Sequence, residues 1–442
     1  MKVIIVGAGE VGRELAESIR RKGHDVVIVD KSKKACDKAR SLDVKVVQGN
    51  GANPELLNSL DIKGSDYFFA VTNDNETNIV SCSMAKYAEC KTMARINGLE
   101  YISRPVSRKF DQLGVDYAVS PELLIAKKIS NIITVPSAID KNLSMGGKLN
   151  VVEFKVLPDS KIKNKKIKKI NLPKDVNLGA IIRENQVMVP HGDDVVKEDD
   201  TLVVIVEGKK AQEKMSKLLG RRKRSVENVI VVGATSVGID VAKKLDERGV
   251  GVKLIDDSEK RARRAAEKLR NVEVLTADAR DKNVLIEEGI LRTDALAATT
   301  NSEEYNVLVS LLAKVYGVEK TIAVVTELGV KSLIETVGID LAASSELQTA
   351  KTMLRLAKEL DPLKATPVHG GDLYILEMRV EEDSPIKDKT LAKSKLPEES
   401  IVGAIKRKGK TLIAHGGEEF KEGDQVLFFV KKEEIAAVED RF

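Results

Sequence analysis

Residues 2–12 read Lys-Val-Ile-Ile-Val-Gly-Ala-Gly-Glu-Val-Gly, and residues 228–238 read Asn-Val-Ile-Val-Val-Gly-Ala-Thr-Ser-Val-Gly. The correspondence continues along the chain. Asp30 returns as Asp256, Asp66 as Asp294, Thr72-Asn73 as Thr300-Asn301 and Asn78 as Asn306. Later, Gly114 and Asp116 match Gly338 and Asp340, Leu172-Pro173 matches Leu396-Pro397, and Gly179-Ala180-Ile181 matches Gly403-Ala404-Ile405. The whole chain is therefore a tandem duplication, and whatever one half folds into, the other must approximate. A length of 442 residues also exceeds what one core organises.

Each half is itself bipartite. The first part alternates short β-branched runs with helical stretches: strands at 2–6, 25–30 and near 44–48, 66–72, 91–96 and 116–119, with a helix over 10–21. That alternation predicts a parallel sheet with helices on both faces. A further helix follows, opened by Ser120-Pro121-Glu122 in copy one and Ser344-Ser345-Glu346 in copy two. Its apolar stripe (Ile125, Ile129, Ile132, Ile133; Leu347, Ala350, Leu354, Ala357) is expected to pack on its own domain or on a neighbouring subunit. The second part, with alternating strands at 149–157 and 372–380, reads as a small α+β module. The expected fold class is α/β: two Rossmann-like doubly wound domains, each followed by a small α+β domain. The expected boundaries are 1–134, 135–220, 226–360 and 361–442, with linkers at 135–148, 221–224 and 361–371.

The chemistry concentrates after the first strand. Gly7-Ala8-Gly9-Glu10-Val11-Gly12 joins that strand to a helix, and Asp30 ends the next strand. Gly7 suits the tight turn, Gly9 lets the backbone approach a pyrophosphate, and Gly12 lets the helix pack closely. The helix N-terminus offers amides and partial positive charge to phosphates. Asp30 can accept from both ribose hydroxyls and disfavours a 2′-phosphate, while Lys31 softens that preference. Asn50 and Gly51 after the third strand are candidates for adenine contact. Thr72, Asn73 and Asn78 could line the crevice, or Asn73 or Asn75 could cap a helix. Arg95 could reach a phosphate or cap the sheet edge. In copy two Gly233, Val237, Asp256, Asp278 and Thr300 hold the matching places, but Thr235 replaces the second glycine and Val324 replaces the arginine. Copy two is expected to bind weakly, to bind a different nucleotide, or to be structural.

These motifs together resemble the TrkA family of potassium-uptake regulatory proteins, built from RCK (KTN) domains, over essentially the whole length. The carrying residues are Gly7-x-Gly9-x-x-Gly12, Asp30, Gln48-Gly49-Asn50, Thr72-Asn73-Asp74 with Asn78, Ala94-Arg95-Ile96, Leu172-Pro173, Gly179-Ala180-Ile181-x-Arg183 and Val189-Pro190-His191-Gly192-Asp193. The resemblance implies a non-enzymatic regulatory subunit that binds NAD(H), or ATP and ADP. It also implies a dimer or tetramer forming a ring, peripheral at the cytoplasmic face beside a membrane potassium-translocating subunit (TrkH-, TrkG- or KtrB-like). Asn50 stands where the family usually has an acid.

Composition narrows the alternatives. No apolar stretch approaches the length of a membrane helix, and no signal peptide is expected. Aromatics are 3% with no Trp, and net charge is +5, which disfavours nucleic acid as a partner despite the lysine run 161–169. That run could instead lie near anionic lipid. Cys36, Cys82 and Cys90 read as reduced thiols, and no metal site is expected. A nicotinamide-dependent oxidoreductase is the alternative function. Its weakness is that His24, His191, His369 and His415 all fall in turns or linkers.

Overall fold

The computed structural model describes residues 1–98, 110–134, 138–140, 149–184, 186–219, 226–326, 337–357, 360, 365–368 and 372–442. The basic run 221–224, His369 and most of the two long linkers lie outside the described residues.

Copy one begins with β1 (Lys2–Val6), α1 (Glu10–Arg21), β2 (Asp25–Asp30), α2 (Lys33–Ala39), β3 (Lys45–Gln48), α3 (Pro54–Ser59), β4 (Tyr67–Ala70), α4 (Asn75–Tyr87), β5 (Lys91–Arg95), β6 (Tyr117–Val119) and α5 (Pro121–Thr134). The strands are buried runs rather than alternating ones, as a sheet covered on both faces requires. In α1, Val11, Leu15, Ala16 and Ile19 recur at helical spacing and all are buried. The sheet order is β3-β2-β1-β4-β5-β6, and the pairing is parallel throughout. This is the doubly wound order, with its topological switch between β1 and β4, where the ends of neighbouring strands diverge into a crevice.

After β7 (Ala138–Asp140), β8 (Leu149–Lys155), β9 (Val176–Arg183), β10 (Gln186–Met188), β11 (Thr201–Glu207) and α6 (Gly208–Leu218), the pattern repeats. Copy two has β12 (Asn228–Val232), α7 (Ser236–Asp246), β13 (Gly251–Asp256), α8 (Glu259–Lys268), β14 (Glu273–Thr276), α9 (Lys282–Glu287), β15 (Ala295–Ala298), α10 (Glu303–Val315), β16 (Lys320–Val324), β17 (Leu341–Ala343) and α11 (Ser345–Leu356). Its sheet order, β14-β13-β12-β15-β16-β17, reproduces copy one. The chain ends with β18 (Thr366–Val368), β19 (Leu373–Arg379), β20 (Ser400–Arg407), β21 (Lys410–Ile413), β22 (Gln425–Lys431) and α12 (Ile435–Glu439).

The compact units do not follow chain order. One comprises Met1–Thr134 with Val226–Asp361, the other Val135–Ser225 with Pro362–Phe442. In the first unit the two parallel-sheet domains exchange their last helices. Ile125, Ala126, Ile129 and Ile133 of α5 share a core with Val241, Ala242 and Leu245 of α7. Ala350 and Met353 of α11, with Ala357 and Leu360 beyond it, join Val11, Leu15 and Ile19 of α1. The apolar stripes therefore pack on the other copy in the same chain rather than on their own domain. Polar contacts hold the register: Arg248 reaches the Ser130 carbonyl (2.8 Å) and Thr134 Oγ1 (2.6 Å), and Lys320 Nζ lies 3.1 Å from the Ile132 carbonyl. Ile129→Ala should cost about 2–5 kcal/mol, read as a lower denaturant midpoint. An unchanged midpoint would mean the swapped helix contributes nothing to the core.

The second unit pairs the two small modules. Each is an antiparallel sheet, ordered β10-β9-β11-β8-β7 and β18-β19-β22-β20-β21, and their inner faces form one core. The repeated Gly-Ala-Ile motif serves this interface: a Cβ at Gly179 would stand 2.1 Å from the Phe429 ring, and one at Gly403 would stand 2.3 Å from Ile205. Each module's large residue thus fills the space left by the other's glycine. The arginine of the same motif is a clasp. Arg183 forks onto Asp200 (2.7 and 2.8 Å), and Arg407 onto Asp424 (2.9 and 2.7 Å).

Candidate nucleotide site

The crevice of copy one is built by the β1–α1 turn. Gly7 adopts φ +114°, and a Cβ there would press on the backbone at Val71 and Thr72, 3.0 Å away. Gly12 packs so tightly beneath the turn that a Cβ would stand 1.8 Å from the Gly7 carbonyl oxygen. Gly9 differs. Its φ of −69° suits any residue, and a Cβ would meet nothing within 4 Å. Gly9 is the N-cap of α1 and no side chain caps the helix, so the amides of the first turn face the crevice without a side-chain acceptor. Ala8 and Val11 place their side chains in the core, so only their main chain belongs to the turn. Glu10 pairs with Arg13, whose Nη1 also donates to the Ala8 carbonyl at 3.1 Å.

Asp30 is half-buried at the end of β2. Its Oδ2 accepts from the Ala8 amide at 2.7 Å and its Oδ1 from the Ser32 amide at 2.7 Å. One lone pair on each oxygen remains for a ribose diol. Lys31 is exposed beside it. Asn50 is exposed and accepts the Ala52 amide at 3.0 Å, a local turn. Gly51 does not face the crevice: it is buried, and a Cβ would lie 2.1 Å from Val6 Cγ1.

Asn78 is also not a crevice residue. It is 0% exposed and clasps two strand ends. Its Oδ1 accepts from the Thr72 amide (3.0 Å) and hydroxyl (2.7 Å), and its Nδ2 donates to the carbonyls of Thr72 (3.0 Å) and Arg95 (2.8 Å). Asn306 makes the same bonds to Thr300 and Val324 in copy two. This repetition identifies the matching threonine–asparagine pairs as structural. The α4 cap is Asp74, accepting from the Thr77 amide at 2.9 Å, rather than Asn73 or Asn75. Asn73 is exposed, and its carbonyl accepts from Asn97 Nδ2 at 3.1 Å. Arg95 is half-buried at the end of β5, donating to Asn97 Oδ1 at 3.1 Å. Burial pulls its guanidinium pKa down, opposed by the charges of Glu346 and Glu122. Among the described residues it makes no ion pair, and Glu346 and Glu122 are the carboxylates that act on its charge.

Copy two keeps the scaffold and changes the contents. Gly233 has φ +103°, and a Cβ at Gly238 would stand 1.9 Å from the Gly233 carbonyl oxygen. Val237 packs half-buried against the core. A cleft of about 300 Å³ opens beside Gly233, Thr235, Asp256, Arg261, Thr300 and Tyr305. Thr235 Oγ1 caps the helix, accepting from the Gly238 amide at 3.2 Å. Asp256 accepts from the Ala234 amide (2.6 Å) and Ser258 amide (2.8 Å), and Arg261 Nε lies 3.0 and 3.1 Å from its two oxygens. Asp278 is engaged by Arg280 (3.0, 3.1 and 2.7 Å) and by the Tyr305 hydroxyl (2.9 Å). The Arg280 bonds hold the Asp278 carboxyl well below its usual range, and burial first, then Asp278, pushes the Tyr305 phenol up to about 12. Arg261, Arg280 and Tyr305 were not among the sequence candidates. The alignment of copies would have found them, because they replace Ala35, Ala52 and Thr77.

The TrkA-N domain family matches residues 3–121 and 229–345, and the TrkA-C domain family matches 151–220 and 375–442. The chain belongs to the TrkA family. It is 36% identical over 452 aligned residues to Trk system potassium uptake protein TrkA homolog 1 of Methanosarcina mazei, covering 100% of both chains. It is 32% identical to the TrkA homolog of Archaeoglobus fulgidus and 29% identical to TrkA of Vibrio alginolyticus, again along 100% of this chain. Among solved structures, the GsuK RCK domain superposes with a TM-score of 0.64 over 99% of this chain and 95% of that one, at 17% identity. The GsuK channel bound to NAD gives 0.63 over 100% and 78%. These last two likenesses establish the shared fold. Membership in the TrkA family makes the chain a non-enzymatic regulatory protein of potassium uptake, so the oxidoreductase alternative falls. Among the described residues no helix is long and apolar enough to cross a membrane. Cys36, Cys82 and Cys90 are free and buried, and burial pushes the Cys90 thiol up to about 11, which suits packing rather than reactivity.

Proposed function

We propose that copy one binds NAD(H), or ATP and ADP, and that the bound nucleotide sets the shape of a homo-oligomeric ring that regulates a membrane potassium-translocating subunit. The observation that carries this reading is the α1 N-terminus: its N-cap is a glycine with open space above it, and its first turn has no side-chain cap. Dipole and amides there favour a pyrophosphate. Asp30 supplies acceptors for a ribose, and Lys31 and Arg95 bring cations to the end of the sheet. Solved GsuK structures bound to NAD and to ADP are consistent with either ligand class. The membrane partner and the peripheral location rest on the family's part in potassium uptake.

A nucleotide regulates only by binding one ring shape better than another. Moving a gate from 1:99 to 99:1 needs about 5.5 kcal/mol, which four sites would share at about 1.4 kcal/mol, or tenfold, each. The test is isothermal titration of the ligand-stripped chain with NADH, NAD, ATP and ADP. The expected result is about one strong site per chain, with at least tenfold differences among ligands. Absence of binding by all four would refute the reading.

A further inference from the structure

Copy two carries its own substitutes for a ligand. A nucleotide in copy one would meet three sets of polar groups: the α1 amides, the Asp30 carboxylate and the position of Asn50. Each has a counterpart in copy two, and each counterpart is already engaged by a side chain that copy one lacks. The Thr235 hydroxyl takes the Gly238 amide and donates to the Thr299 carbonyl at 2.8 Å, whereas Gly9 leaves that space open. The Arg261 guanidinium spans both Asp256 oxygens and also reaches Asp257 at 2.8 Å, whereas copy one has Ala35. Arg280 and Tyr305 close on Asp278, whereas copy one has Ala52 and Thr77.

We propose that Arg261, with Thr235, is an internal latch that closes the second crevice to adenine nucleotides. The proposal rests on the nucleotide reading of copy one. A ribose diol could reach Asp256 only by displacing a bidentate guanidinium from a carboxylate that is 4% exposed. An unpaired buried carboxylate is among the least favourable arrangements a protein can hold. A phosphate would find its helix N-terminus capped, and the local charge turned against it. Lys31 becomes Asp257, so three carboxylates, Asp256, Asp257 and Asp278, stand with two guanidiniums in copy two. The scaffold itself is intact, since Gly233 and Gly238 keep the turn geometry. The second crevice is thus a formed, open cleft whose polar groups are already taken by its own side chains, and Arg261 decides which copy responds to nucleotide.

The experiment is NADH titration of the full chain by calorimetry, with melting temperature as the fold control. The wild type should bind about one equivalent per chain. Thr235→Gly combined with Arg261→Ala should add a second equivalent, a gain of at least 30-fold in affinity at that crevice. The reciprocal variant, Ala35→Arg with Gly9→Thr, transplants the latch and should weaken binding at the first crevice at least 30-fold while the chain still melts like wild type. It tests the idea even if the opened variant fails to fold. Two equal sites in the wild type would overturn the latch, as would a stably folded opened variant that still binds one equivalent. If the wild type binds nothing but the opened variant binds one equivalent, the latch stands and the reading of copy one fails. If none of the chains binds, both fall.

Discussion

Gly12→Ala and Gly9→Ala are expected to separate folding from binding, although the two residues belong to one motif. The Gly12 methyl would stand 1.8 Å from the Gly7 carbonyl oxygen, a backbone atom held between β1 and β4. Neither the helix nor the turn can yield without lifting α1 off the core formed by Val11, Leu15 and Ile19. Overpacking of this kind costs about 3 kcal/mol or more, so Gly12→Ala should unfold at markedly lower denaturant. Because α1 also carries the swapped helix α11, the loss should spread to copy two's closing helix. Gly9→Ala should leave the midpoint unchanged, since its φ is ordinary and the methyl meets only open space. That space is where a pyrophosphate would lie against the helix N-terminus. A methyl there should weaken NADH binding about 30-fold, or roughly 2 kcal/mol. Wild-type affinity in a folded Gly9→Ala chain would place the phosphate elsewhere.

The second large effect distinguishes the two aspartates. Asp30→Ala should weaken nucleotide binding about 100-fold, or roughly 2.7 kcal/mol, because two charge-assisted bonds to ribose are lost. Asp256→Ala should leave the strong site's affinity and stoichiometry as they were. Its consequence is structural. Asp256 is buried and accepts from the Ala234 and Ser258 amides, so its removal strands two amides, while Arg261 keeps Asp257 at 2.8 Å. Leaving buried donors without an acceptor costs about 1–3 kcal/mol, read as a fall in the unfolding midpoint. Equal losses of binding in the two variants would end the asymmetry between the copies. Asp30→Ala strands the Ala8 and Ser32 amides in the same way, so its binding is read on chain that the denaturant midpoint shows to be folded, and the two readouts separate the structural loss from the loss of ribose contacts.

Several structural roles fell outside what local pattern can convey. Asn78 and Thr72 read as crevice polar groups because both follow a strand in a nucleotide-binding arrangement. Their side chains are directed at each other and at the Arg95 carbonyl, a contact between strand ends remote in sequence. Gly51 read as a ligand neighbour, yet its lack of a side chain makes room for Val6, on another strand. In both cases residue type was informative and direction was not.

The sequence alone determined the duplication, the alternation that makes a parallel sheet, the strand–turn–helix built on Gly7, Gly9 and Gly12, and the weakening of that motif at Thr235. These are local properties. Burial pattern, backbone φ and glycine spacing act within a few residues, and a repeat makes each visible twice. Only the tertiary structure decided where the stripes of α5 and α11 pack, because an amphipathic helix specifies that it needs an apolar partner, not which one. The same holds for the glycines of the small modules, whose partners Phe429 and Ile205 lie in the opposite copy. It holds also for Arg261, which is five residues from Asp256 in the chain but closes on it only because α8 starts at the end of β13 and turns its first face back over the carboxylate. Two domains with the same turns can therefore differ in whether the polar groups of the crevice above them are free, because side-chain direction in the folded chain decides it.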